Sequence, residues 1–145
     1  MKKNEKNKNI LKDSEKNNGR IIFGISPLLE YRYVPNTHSG ADLGLSAILN
    51  YSSESSWNYS LSAFSTFIAD SSGYAIFLGR KFANDHWYGT LGLGNRYLSS
   101  SIKEGKKTVI GNEVYFGLRR NWLGITFSII YTEGKPGYSI IIYGR

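Results

Sequence analysis

Ser71, Asp70 and His38 have the makings of a nucleophilic or acid–base set. A serine oxygen attacks once an imidazole removes its proton, and a carboxylate orients that imidazole. Asp70 and Ser71 are adjacent, whereas His38 stands far upstream, so only the fold can bring it to the pair. The run Asp70-Ser71-Ser72-Gly73 is equally ordinary turn chemistry, in which an aspartate accepts from nearby backbone N–H groups. A second set, Glu30, Arg32, Asp42, Arg96, Glu113 and Arg119, consists of isolated charges. With no cysteine and 2 histidines, a thiolate metal site, a disulfide and a histidine-rich metal site are all excluded. No metal or cofactor is expected.

The elements that must position these residues are strands. From Trp57 to Gly73 the chain alternates: Trp57, Tyr59, Leu61, Ala63, Ser65, Phe67 and Ala69 on one phase, Asn58, Ser60, Ser62, Phe64, Thr66, Ile68 and Asp70 on the other. A period of two is that of an extended strand. Seven further segments repeat it, each closed by turn residues. They run over 20–34, 41–51, 74–82, 87–98, 108–119, 122–132 and 138–145. No segment has helical periodicity. Short connections between consecutive strands predict an antiparallel up-and-down meander, closed into a barrel or folded as a sandwich.

The contents of the two phases separate a soluble barrel from a membrane one. One phase reads Leu43, Leu45, Leu49; Leu91, Leu93; Val114, Phe116, Leu118; Leu123, Ile125, Phe127, Ile129. The other reads Gly44, Ser46; Gly92, Gly94, Arg96; Glu113, Tyr115, Gly117, Arg119; Gly124, Thr126, Ser128. Glycine, serine and single charges suit a lumen, which turns the apolar phase out to lipid. Trp57, Trp87 and Trp122 begin alternate segments and so share one rim with Tyr51, Phe82 and Tyr143. Tyr33, Tyr74, Tyr97, Tyr131 and Tyr138 fall on the other. Two aromatic belts match the two interfaces of a bilayer. Outer-membrane barrels keep short turns inside and long loops outside. On that rule the loops at 35–40, 70–73, 99–107 and 133–137 face outward, and His38, Asp70 and Ser71 share that rim. His86 lies at the opposite end.

The formal net charge of +7 is unevenly placed, since seven Lys/Arg against three Asp/Glu lie in the first twenty residues. That Lys/Asn-rich start is predicted to be a disordered leader over residues 1–19, because it has too little apolar surface to offset ordering entropy. It lacks the apolar core of a secretory signal. A basic tail is able to bind nucleic acid or anionic lipid, but a solvated leader accounts for it, and no nucleic-acid partner is expected.

Gly44-Leu45-Ser46, Ser56-Trp57, Ala63-Phe64 and Phe67-Ile68-Ala69-Asp70-Ser71, with Gly124-Ile125-Thr126-Phe127, Ile130-Tyr131 and Gly134, resemble the outer-membrane lipid A palmitoyltransferases over about residues 41–145. The resemblance implies a small eight-stranded barrel and transfer of a fatty acyl chain from phospholipid to lipid A. It matches Asp70 and Ser71 to the family's catalytic pair. The family's histidine lies on the first strand, which here reads Ile25-Ser26-Pro27-Leu28-Leu29-Glu30, so His38 would have to substitute from the following loop.

The expectation is therefore an all-β chain, an eight-stranded antiparallel barrel over 20–145 in the outer membrane of a Gram-negative bacterium, monomeric, with bilayer, phospholipid or lipopolysaccharide as partner. Candidate catalytic residues are Asp70, Ser71 and His38. Candidate acyl-chain walls are Phe64, Ile68, Ile48, Phe77 and Ile130, with lumen glycines leaving room. The charges inside form either a salt-bridge plug or polar substrate contacts, since an eight-stranded barrel is too narrow for an open channel. A non-catalytic barrel for membrane integrity or surface interaction, and a soluble barrel holding a hydrophobic ligand, are the alternatives.

Overall fold

The computed structural model describes residues 19–37, 39–52, 57–68, 71–84, 86–99 and 108–144. His38, Asp70 and nearly all of the predicted leader lie outside them. The strands are β1 (Arg20–Tyr33), β2 (Gly40–Ser52), β3 (Trp57–Thr66), β4 (Ser72–Phe82), β5 (Trp87–Ser99), β6 (Thr108–Arg120), β7 (Leu123–Thr132) and β8 (Lys135–Gly144). Each pairs antiparallel with its neighbours in sequence, and β1 closes on β8 from Leu28↔Tyr143 to Tyr33↔Tyr138. The fold is the expected closed eight-stranded barrel. Its strands, from 10 to 14 residues long, meet the ~9–11 needed to cross a bilayer at a tilt.

Alternation puts the aliphatic phase outside. Leu45 is 46% exposed, Leu93 65%, Phe116 49% and Phe127 41%. Inside lie Ser26, Glu30, Arg32, Asp42, Ser62, Arg96, Glu113, Ser128 and Ser139, all buried. A water-soluble barrel would turn the first set inward and the second outward. The Tyr33–Tyr138 and Tyr74–Tyr97 ring pairs lie at one rim. Trp57, Phe82 and Trp122 are exposed at the other. Tyr143 reaches that second rim but points inward, over Gly124.

Several segment ends differ from expectation by one to a few residues, among them the end of β3 and the starts of β7 and β8. The third strand stops at Thr66: the Phe67 N–H still donates to the Leu43 carbonyl at 2.9 Å, in the register of the β2–β3 ladder, but the Ile68 N–H turns to Asp42 Oδ1 at 2.9 Å. Lys135-Pro136-Gly137 belong to β8, because the reversal before them takes only Glu133 and Gly134. Both have positive φ, 48° and 76°, the two-residue hairpin whose twist suits the strands it joins. Trp122 sits in the turn ahead of β7.

Several lumen glycines do not leave empty room. A Cβ at Gly124 would come within 2.2 Å of the Tyr143 ring, one at Gly79 within 2.2 Å of the Tyr88 hydroxyl, and one at Gly92 within 2.3 Å of Phe77. The volume these glycines give up is taken by aromatic rings from the adjoining strand.

Candidate functional site

The barrel interior is layered. Nearest the tyrosine rim is a small apolar cluster of Val34, Leu98 and Ile130. Below it lies a layer of charge, then a second cluster formed by Leu28, Phe64, Ala75, Tyr115 and Ile141, and below that a cavity, roofed by Leu28, Phe64, Tyr115 and Ile141.

Arg96 of β5 is the hub of the charged layer. Its Nε and Nη2 donate to the two oxygens of Glu113 at 2.9 and 2.8 Å, a bidentate pair. Its Nη1 donates to Glu30 Oε1 across the barrel at 2.7 Å and to Ser71 Oγ at 3.3 Å. The guanidinium lies 4.3 Å over the Phe64 ring. Glu30 also accepts from Arg32 Nη1 at 2.7 Å and from the Ser139 hydroxyl at 2.5 Å. Glu113 accepts from the Tyr115 hydroxyl at 2.5 Å and from the Ser128 hydroxyl. Glu30 and Arg96 are wholly buried. Charges taken from water at this depth hold only with such complete pairing. The layer joins β1, β5, β6, β7 and β8, so it bolts opposite walls together and blocks the lumen.

Asp42, also inward, accepts the N–H groups of Leu43 and Ile68. Arg119, further down, stacks 4.6 Å over the Tyr88 ring at the cavity.

The predicted site residues divide among these layers. Ser71 is buried, and its backbone is engaged by Thr66: the Thr66 N–H donates to the Ser71 carbonyl at 2.7 Å, and the Ser71 N–H to Thr66 Oγ1 at 3.2 Å. It closes the β3–β4 turn and hands its hydroxyl to Arg96. Ile48, Phe64 and Phe77 line the cavity. Ile130 is in the upper cluster, on the far side of the charged layer. Ile68 is 67% exposed, because the bend held by Asp42 carries it out of the lumen phase. The structure therefore brings Ile48, Phe64 and Phe77 together around the cavity and leaves Ser71, Ile68 and Ile130 out of its lining. Sequence reasoning missed the hydroxyl donors Tyr115, Ser128 and Ser139. Their signal is an inward phase, on the strand of Glu113 itself for Tyr115 and on a strand beside a glutamate for Ser128 and Ser139.

The cavity measures about 100 Å³ and is bounded also by hydroxyls, among them Ser46, Ser62 and Thr126. An apolar cavity of about 150 Å³ takes up one benzene, so this one is small against a long acyl chain.

No protein-family model and no characterised protein matches the chain. Among solved structures it is similar to the N-terminal β-barrel domain of OprF from Pseudomonas aeruginosa. The TM-score is 0.54 over 87% of this chain and 96% of that one, at 10% identity. At that identity the likeness speaks for the fold alone: an outer-membrane-type eight-stranded barrel. It lends nothing specific to the palmitoyltransferase resemblance.

Proposed function

We propose that this chain is an integral outer-membrane barrel, closed inside by an ion-paired plug, that serves membrane integrity or surface interaction without catalysing a reaction. The observation that carries the reading is the inverted distribution of side chains: a continuous coat of Leu, Ile and Phe outside, and Arg96 held between Glu30 and Glu113 inside. The first is matched to lipid and the second to a lumen that conducts nothing. The test is reconstitution into planar bilayers. The proposed barrel inserts and gives no steady ion conductance; a lasting conductance would remove the plug from the account.

Acyl transfer from phospholipid to lipid A is a second reading, favoured by one observation, the partly apolar cavity walled by Ile48, Phe64 and Phe77. In it Asp70 and Ser71 carry the chemistry and His38 serves as base. Against it, Ser71 accepts from Arg96 and does not line that cavity. An acyl-transfer assay in detergent with the parent, Ser71→Ala and His38→Ala decides. Turnover in the parent lost in both variants establishes the enzyme, and its absence from the parent supports the inert barrel.

A further inference from the structure

The tryptophan rim carries a feature that neither the plug nor the cavity uses. On its outer face Trp57 of β3 pairs in register with Arg80 of β4, and Trp87 of β5 with Arg120 of β6. Each guanidinium lies over its indole, at 5.1 Å for Arg80 on Trp57 and 5.3 Å for Arg120 on Trp87. Stacking holds the cation's carbon face and leaves its N–H edge for an anion. Among the described residues neither arginine has a carboxylate partner, and the exposed charges that the described residues place at this rim are Arg20, Arg80, Lys81 and Arg120. Between the two clamps β5 presents Gly89, paired with Arg80 on one side and Leu118 on the other, so the sheet has a shallow notch there, partly filled by the Phe82 ring, which lies 3.2 Å from where a Cβ would stand. From the notch towards mid-barrel runs an exposed apolar track of Leu78, Leu91, Leu93 and Phe116.

We infer that this face is a binding site for one anionic diacylphospholipid of the leaflet at the tryptophan rim, its phosphate between Arg80 and Arg120 and an acyl chain along the leucine track. The inference rests on the membrane reading. Charge complementarity selects the headgroup, since a zwitterionic lipid brings its own cation against the two arginines. The apolar track selects a lipid over a free anion, which would gain nothing from it.

All 3 tryptophans lie at this rim, so their emission reports on it. The protein is reconstituted in phosphatidylcholine vesicles containing a trace of acyl-brominated phosphatidylglycerol or, separately, acyl-brominated phosphatidylcholine, and the two quenching constants are compared. The site predicts a preference for phosphatidylglycerol of about fivefold or more. Arg80→Gln with Arg120→Gln brings the ratio close to one, while Arg20→Gln with Lys135→Gln, equal in charge removed but away from the notch, leaves it. Inorganic phosphate at matched ionic strength does not compete. A ratio near one in the unaltered protein, equal losses in both double variants, or displacement by lipopolysaccharide would overturn the site. Quenching by phosphatidylcholine shows that each variant has inserted. No quenching by either lipid would instead sink the membrane reading beneath it.

Discussion

Arg96 is the residue whose loss the interior tolerates least. Replacing it with Met leaves Glu113 without an ion pair among the described residues and Glu30 with Arg32 alone, and uncompensated buried charge costs about 3–5 kcal/mol. Urea unfolding of Arg96→Met in lipid vesicles should show a loss of that order. Removing Glu113 as well should restore part of it, because the double variant leaves fewer charges unpaired. Ser71→Ala removes a single hydrogen bond and should cost only about 1 kcal/mol. The charges were legible as lumen residues from strand phase alone. Which hydroxyl would satisfy which carboxylate was not, since Ser128 reaches Glu113 and Ser139 reaches Glu30 only after registers are set across other strands. The hydrogen bond from Arg96 to the Ser71 hydroxyl was hidden for the same reason: nothing local in Asp70-Ser71-Ser72-Gly73 reveals it.

At the scale of the strand, alternation located all eight segments, with ends displaced by a few residues where turn chemistry competes with extension. The clearest case is β3, whose pattern runs on past Thr66 although Asp42, from the neighbouring strand, holds Ile68 in a bend. No local sequence signal encodes a cap supplied from another element. The glycine–aromatic pairs are a second device of this scale, since the ring of one strand occupies the space left by the glycine of the next. Gly124→Ala should destabilise the barrel by about 1–3 kcal/mol through overpacking against Tyr143. The same substitution in a Tyr143→Ala background should cost clearly less, and equal costs in the two backgrounds would show that the ring yields freely. Gly134→Ala tests the hairpin, where a residue with a Cβ at φ 76° should lose about 1 kcal/mol in the same unfolding assay.

For the whole molecule, the informative signal was which phase carried the bulk. A sheet with leucine on one face and glycine, serine and arginine on the other is compatible with closure in either sense. The scattered charges and the two aromatic belts favoured the membrane sense, and the side chains lie accordingly. The size of the interior space was not legible, because glycine counts suggest emptiness and say nothing of the rings that fill it. The central claim is that Leu93 and Phe116 face hydrocarbon. The chain has no cysteine, so Leu93→Cys and Phe116→Cys each accept a single spin label, and its collisions with oxygen and with a water-soluble nickel complex can be measured in lipid vesicles. The account predicts high oxygen and low nickel collision rates at both positions. Ready access of the nickel complex, or low collision rates with both reagents as in a packed protein core, would contradict it.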